Sequence, residues 1–157
     1  MASLTHYQFI THWQFQAPLA KVWRELMTPE EWPQWWRGVE KVELVRKGDD
    51  ELGHGAIRNY VWKSRLPYRL LFTLETTRIE PQSLIEAKAT GELAGRGIWT
   101  LEHRDGVTYA QNDWQVSTNK WWMGWLAPIA RPLFSWNHNV SMNWGREGLE
   151  RRLKESS

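Results

Sequence analysis

The sequence predicts an α+β chain: a twisted antiparallel sheet of about seven strands, two short helices after the first strand, and one long helix at the C-terminus. Three observations carry this. Alternation of apolar and polar residues recurs in six consecutive stretches with short turns between them, the pattern of antiparallel strands. Two helix starts interrupt that pattern early, at Pro18 and Pro29. From Lys120 onward the apolar period changes to three or four residues and stays there.

The elements follow in order. Tyr7, Phe9, Thr11, Trp13 and Phe15 alternate with His6, Gln8, His12 and Gln14, a half-buried strand. Ala17-Pro18 opens a helix with Pro at its first position, and Leu19, Val22, Trp23 and Leu26 form one stripe. Thr28 and Glu31 have the spacing of a capping box, and Pro33 keeps the second helix short or kinked. Val39, Val42, Leu44 and Val45 mark a strand ending at Gly48-Asp49-Asp50. Residues 55–64 make the next, closed by Leu66-Pro67. Leu70, Phe72 and Leu74 lie on a long strand toward Pro81, and Ile85, Ala87 and Ala89 alternate with Glu86 and Lys88. Trp99 and Leu101 lead into Asp105-Gly106, a two-residue hairpin signal. The returning strand sets Ala110, Asn112, Trp114 and Val116 on one face. In the last helix Trp122, Leu126, Ile129, Leu133, Asn137, Val140 and Trp144 share a face, with Trp136 at its border. Pro128 and Pro132 place the regular helix from near Pro132, while Gly145 and Gly148 permit close approach or mark a weak last turn.

Composition narrows the function classes. The 157 residues suit a single domain over 1–157 with a real core. The absence of cysteine excludes disulfides, thiolate metal sites and a Cys nucleophile. Nothing calls for a cofactor or a metal: His6 and His12 share a polar strand face, and no zinc-protease, serine-hydrolase or phosphate-loop motif is present. Twenty Lys+Arg interleave with 18 Asp+Glu for a net +2, so no nucleic-acid partner is expected. Arg151, Arg152 and Lys154 read as a C-terminal helix cap. With no secretory signal and no apolar run of spanning length, a soluble cytoplasmic chain without a transmembrane segment is expected. The loudest signal is 13 tryptophans against 4 Phe and 4 Tyr, which either wall a space or fill a core.

Three segments carry a family resemblance. Ala17-Pro18 through Val22-Trp23 to Pro29-Glu30-Glu31-Trp32-Pro33-Gln34-Trp35-Trp36 resembles the first helices of the polyketide cyclase/dehydrase-like branch of the START/Bet v 1-like (SRPBCC) superfamily. Gly97-Ile98-Trp99-Thr100-Leu101, Gly106 and Trp114-Gln115-Val116 resemble its closing hairpin, and Arg131-Pro132-Leu133-Phe134-Ser135-Trp136-Asn137-His138 its last helix. The resemblance spans residues 6–150. It implies a helix-grip fold, in which the curved sheet wraps around the C-terminal helix and leaves a cavity between them.

That cavity would take a small apolar or amphipathic molecule, lipid- or polyketide-like. Its expected lining is Phe9, Trp13, Tyr60, Trp62, Phe72, Leu74, Trp99, Trp114, Trp136, Val140 and Trp144, with Arg58, Asn112 and Asn137 as polar groups that orient a guest. The two asparagines can equally bond each other or a strand carbonyl, and Ile57, Asn59 and Val61 give Arg58 an opposite phase almost as good. Glu75, Glu86, Glu102 and Asp113 fall on the solvent phase, and His138 lies one position off the inward stripe. No secure catalytic group emerges, so binding is expected ahead of a cyclase/dehydrase reaction in the same cavity. A third reading gives Trp121, Trp122 and Trp125, with Lys120 and Met123, to a peripheral membrane or protein contact.

Overall fold

The computed structural model describes residues 6–118 and 127–155, the backbone alone for 127–130. Strand β1 (His6–Phe15) turns Tyr7, Phe9, Thr11, Trp13 and Phe15 inward and exposes the residues between them, as the alternation requires. Helix α1 (Leu19–Leu26) starts one residue later than expected, with Pro18 at the N-cap rather than inside the first turn. It buries Val22 and Leu26, and also Glu25, whose carboxylate pairs with Arg152 at 3.2 Å.

The capping box does not form. Thr28 donates its hydroxyl to the Arg24 carbonyl at 2.8 Å, and the Glu31 carboxylate is drawn to the Arg152 guanidinium. A full charge outcompetes a backbone N–H for that carboxylate. The second helical segment is accordingly a 3₁₀ turn (Pro29–Glu31) running into the single turn of α2 (Trp32–Trp35).

Six further strands complete the sheet: β2 (Val39–Arg46), β3 (Ile57–Lys63), β4 (Arg69–Glu80), β5 (Leu84–Gly91), β6 (Leu93–Arg104) and β7 (Val107–Thr118). Their order is β1-β7-β6-β5-β4-β3-β2, every neighbouring pair antiparallel. The β6–β7 hairpin turns on Asp105 (φ 52°) and Gly106 (φ 80°), the left-handed pair that a tight two-residue turn needs.

Helix α3 (Ala127–Glu155) lies across the concave face, against β1, α1 and α2. It begins before Pro132, which sits inside it and leaves the carbonyl of residue 128 without its usual N–H. Its inward face also differs from the expected one. Phe134, Ser141, Met142, Leu149 and Leu153 are buried together with Gly145 and Gly148, whereas Leu133 and Trp136 are exposed. Large apolar residues were expected to face the sheet, but the bulk at this contact comes from the other side. A Cβ on Gly145 would lie 2.5 Å from the Trp36 ring, and one on Gly148 would overlap the Trp35 carbonyl oxygen. The glycines let the helix axis approach α2 closely. Trp122 and Leu126 lie outside the described residues, as does the Ile129 side chain.

Gly148→Ala and Gly145→Ala should therefore each lose about 1–3 kcal/mol in urea unfolding through overpacking, although Ala favours an isolated helix over Gly by about 1 kcal/mol. The exposed neighbour Asn143→Ala serves as the control and should be neutral or slightly stabilising. Equal behaviour of all three variants would contradict the close-approach account.

Candidate functional site

Gly145 and Gly148 bring the C-terminal half of α3 against Trp36 and Trp35; beneath Phe134–Met142 a groove remains, of about 170 Å³. The helix contributes Phe134, Asn137, His138, Ser141 and Met142. The sheet contributes Tyr7 and Phe9 from β1, Trp62 from β3, Leu70, Phe72 and Leu74 from β4, Leu93 and Trp99 from β6, and Asn112, Trp114, Val116 and Thr118 from β7. Trp32 and Trp36 close one end, and Ser64 and Tyr68 come from the β3–β4 connection. Ring contacts stiffen the walls: Trp36 meets Trp62 edge-on at 5.0 Å, Trp62 stacks on Phe72 at 6.1 Å, and Phe72 meets Trp114 at 5.9 Å. A second cavity of about 110 Å³ lies behind this wall, toward Leu52, Arg58 and Ile79.

Of the residues expected to line the site, the structure brings together Phe9, Trp62, Phe72, Leu74, Trp99, Asn112, Trp114 and Asn137. The others stand elsewhere. Trp13 is 2% exposed and packs between Trp36 and Trp99 at 5.2 and 4.9 Å, as core. Tyr60 stacks on Phe72 at 5.4 Å and faces the rear cavity. Arg58 also faces the rear, where Glu30 accepts its Nε–H at 2.6 Å and supplies the counter-charge. Trp136 is 49% exposed, and Val140 is half-buried without lining the groove, because the helix presents another face. Trp144 lies under the guanidinium groups of Arg37 and Arg65, at 4.3 and 5.5 Å from its ring. Lys120, Trp121, Trp122, Met123 and Trp125 lie outside the described residues.

The two asparagines do different things. Asn137 accepts the Arg65 backbone N–H at 3.0 Å, and its carbonyl accepts the Ser64 hydroxyl at 3.3 Å, so it latches α3 to the β3–β4 connection. Ser141 adds a second latch, its hydroxyl accepting Trp62 Nε1–H at 2.7 Å and its carbonyl accepting Trp36 Nε1–H at 2.9 Å. Asn112 takes part in neither.

The residues that sequence reasoning missed are chiefly Tyr7, Trp32, Trp36, Tyr68 and Phe134, while His138, expected at a cavity rim or on the surface, lies in the groove wall. Tyr68 sits in a turn, where no periodicity exists to read. Phe134 and His138 follow from a signal that was present, the small residues Ser141, Gly145 and Gly148 at helical spacing on the same face.

No formal charge lines the groove: among the described residues that line it there is no Asp, Glu, Lys or Arg, although the Arg131 guanidinium lies over the Tyr7 ring at 4.9 Å. Burial pushes the Tyr7 and Tyr68 hydroxyls up, away from ionisation. Burial also pushes His138 down to about 4, against an opposing pull from the Asn139 side chain. Its ring stacks on Phe9 at 4.2 Å, and among the described residues neither its Nδ1 nor the Tyr7 hydroxyl has a hydrogen-bond partner. The site thus offers aromatic faces and a few neutral polar atoms.

The profile of the family described as polyketide cyclase / dehydrase and lipid transport matches residues 10–155. The chain belongs to this family. Solved structures agree with the assignment at the level of fold. A START superfamily protein from Mycobacterium smegmatis superposes with a TM-score of 0.77 at 11% identity, covering 96% of this chain and 99% of that one. The Zhui aromatase/cyclase from Streptomyces sp. R1128 gives 0.74 at 12% identity, covering 96% and 94%. The major latex-like protein 151 of Panax ginseng gives 0.69 at 9% identity, covering 95% and 98%. No curated protein matches the chain in sequence. The family member described here therefore has the helix-grip fold, with an aromatic-lined groove between sheet and C-terminal helix. No described helix is long and apolar enough to cross a membrane.

The depressed His138 pKa has a signed consequence. The unfolded chain protonates this residue near 6.5 and the folded one near 4, so unfolded molecules bind more protons between those values. Its contribution to stability is complete above about pH 6.5 and is lost as pH falls toward 4. The imidazole C–H resonances of His138 should accordingly stay unshifted from about pH 8 to about 6 and move mainly below about pH 5. Titration with a midpoint near 6.5 would contradict burial in the groove wall.

Proposed function

We propose that the chain binds a small apolar or amphipathic molecule in the groove beneath the N-terminal half of α3. The observation that carries this is the lining: aromatic walls, no ionised side chain among the described residues, and tyrosines and a histidine held neutral by burial. Water there finds few hydrogen bonds, and an apolar guest displaces it. At about 25 cal/mol per Å² of apolar surface removed from water, a guest hiding roughly 150 Å² gains about 4 kcal/mol. The family description, which includes lipid transport, is consistent with this function.

One observation favours a second reading, an enzyme of the cyclase/dehydrase kind. His138 stands in the groove wall with an Nδ1 that no described residue bonds, within reach of a guest's proton, although burial makes its imidazole a weak base. The two readings separate on the fate of the guest, since a binding protein returns it chemically unchanged.

Titration with a panel of apolar compounds should quench the indole fluorescence of the groove tryptophans. Leu70→Trp, which fills the groove, should abolish the response while leaving circular dichroism intact. Gentle purification followed by solvent extraction and mass spectrometry should release a bound compound. A panel with no effect, or quenching that survives Leu70→Trp, would overturn the proposal.

A further inference from the structure

The groove and the rear cavity share one wall, formed by Trp32, Leu74, Trp99, Asn112 and Trp114. Asn112 is the polar member. It pairs in register with Trp99 across β6 and β7, is 7% exposed, and its amide hydrogen-bonds none of the described residues. The amide is not sealed in the core but borders the open space, where water or a guest carrying its own donor and acceptor can bond it. Volume restricts the part of that guest that is buried. The front groove holds about 170 Å³ and the rear about 110 Å³. An apolar cavity of about 150 Å³ accommodates benzene, whereas drug-sized ligands need roughly 300 Å³ or more. The partition is firm, because Trp114 lies over Gly97 so closely that a Cβ there would come 2.5 Å from its ring.

Building on the binding function above, we infer that the guest is a compact one- or two-ring aromatic carrying a hydroxyl, carbonyl or amide group. Its ring lies among Trp62, Phe72 and Trp114, and its polar group meets the Asn112 amide. The Trp99–Trp114 partition stops a long acyl chain or a multi-ring skeleton from running into the rear cavity.

Equilibrium dialysis of the full chain against 2-naphthol, naphthalene, 2-methoxynaphthalene and palmitate tests this. The expected result is about tenfold tighter binding of 2-naphthol than of naphthalene, an intermediate value for 2-methoxynaphthalene, which keeps only the acceptor, and no binding of palmitate. In Asn112→Leu, 2-naphthol should fall to the level of naphthalene, while naphthalene itself is retained. The comparison among the three ring compounds needs no variant and stands even if Asn112→Leu fails to fold. Tightest binding of palmitate, equal binding of 2-naphthol and naphthalene, or a preference that survives Asn112→Leu would overturn the inference and leave the binding function standing. No binding of any of the four would overturn both.

Discussion

The contact between the C-terminal half of α3 and the tryptophans of α2 sets the rest of the structure. Gly145 and Gly148 bring the helix against Trp36 and the Trp35 backbone, where side chains would collide. Arg152 fastens the same end by pairing with Glu25 and Glu31 and donating to Gln34 at 2.9 Å. A helix held tightly at one end against a curved sheet stands away from it at the other. The groove lies there, between Phe134, His138 and Met142 on one side and Phe72 and Trp114 on the other. Ser141 marks the boundary, bonded by the indoles of both Trp36 and Trp62.

The tryptophans divide their work along the same line. Trp13 and Trp35 are packed interior, interlocked with Trp36 at 5.2 and 5.4 Å. Trp62, Trp99 and Trp114 each present part of a ring to open space. Trp36 does both, one edge against Gly145 and another toward the groove. Indole suits this double duty because it is large and rigid and carries a single N–H that one carbonyl or hydroxyl satisfies. Neutrality follows from the same packing, which desolvates Tyr7, Tyr68 and His138 and so disfavours their charged forms.

How far the sequence spoke depended on the kind of element. Strand alternation placed Phe9, Phe72, Leu74 and Trp114 on the correct face, because a period of two leaves a side chain only two choices. The Asp105-Gly106 turn was legible for the same local reason. Helix α3 was harder. Its inward face was assigned from residues recurring at spacings of three and four, which selected Leu133, Asn137, Val140 and Trp144 with Trp136 at the border, whereas the actual contact is made by small residues against a bulky partner. Arg58 and Glu31 were misread for another reason, since their partners Glu30 and Arg152 come from distant or neighbouring elements that only the fold brings into range. Local pattern thus fixed which strand residues look inward, and tertiary contact fixed which end of the interior stays open.

The interior is open beneath the N-terminal half of α3 and closed beneath its C-terminal half. Diffraction from crystals pressurised with xenon tests it most directly, because xenon enters dry apolar cavities without needing a polar partner. The account predicts xenon density between Trp62, Phe72, Trp114 and Met142, and none between Gly145 and Trp36. Rings that interlock across that space with no bound xenon, or xenon lodged at the glycine contact instead, would contradict it.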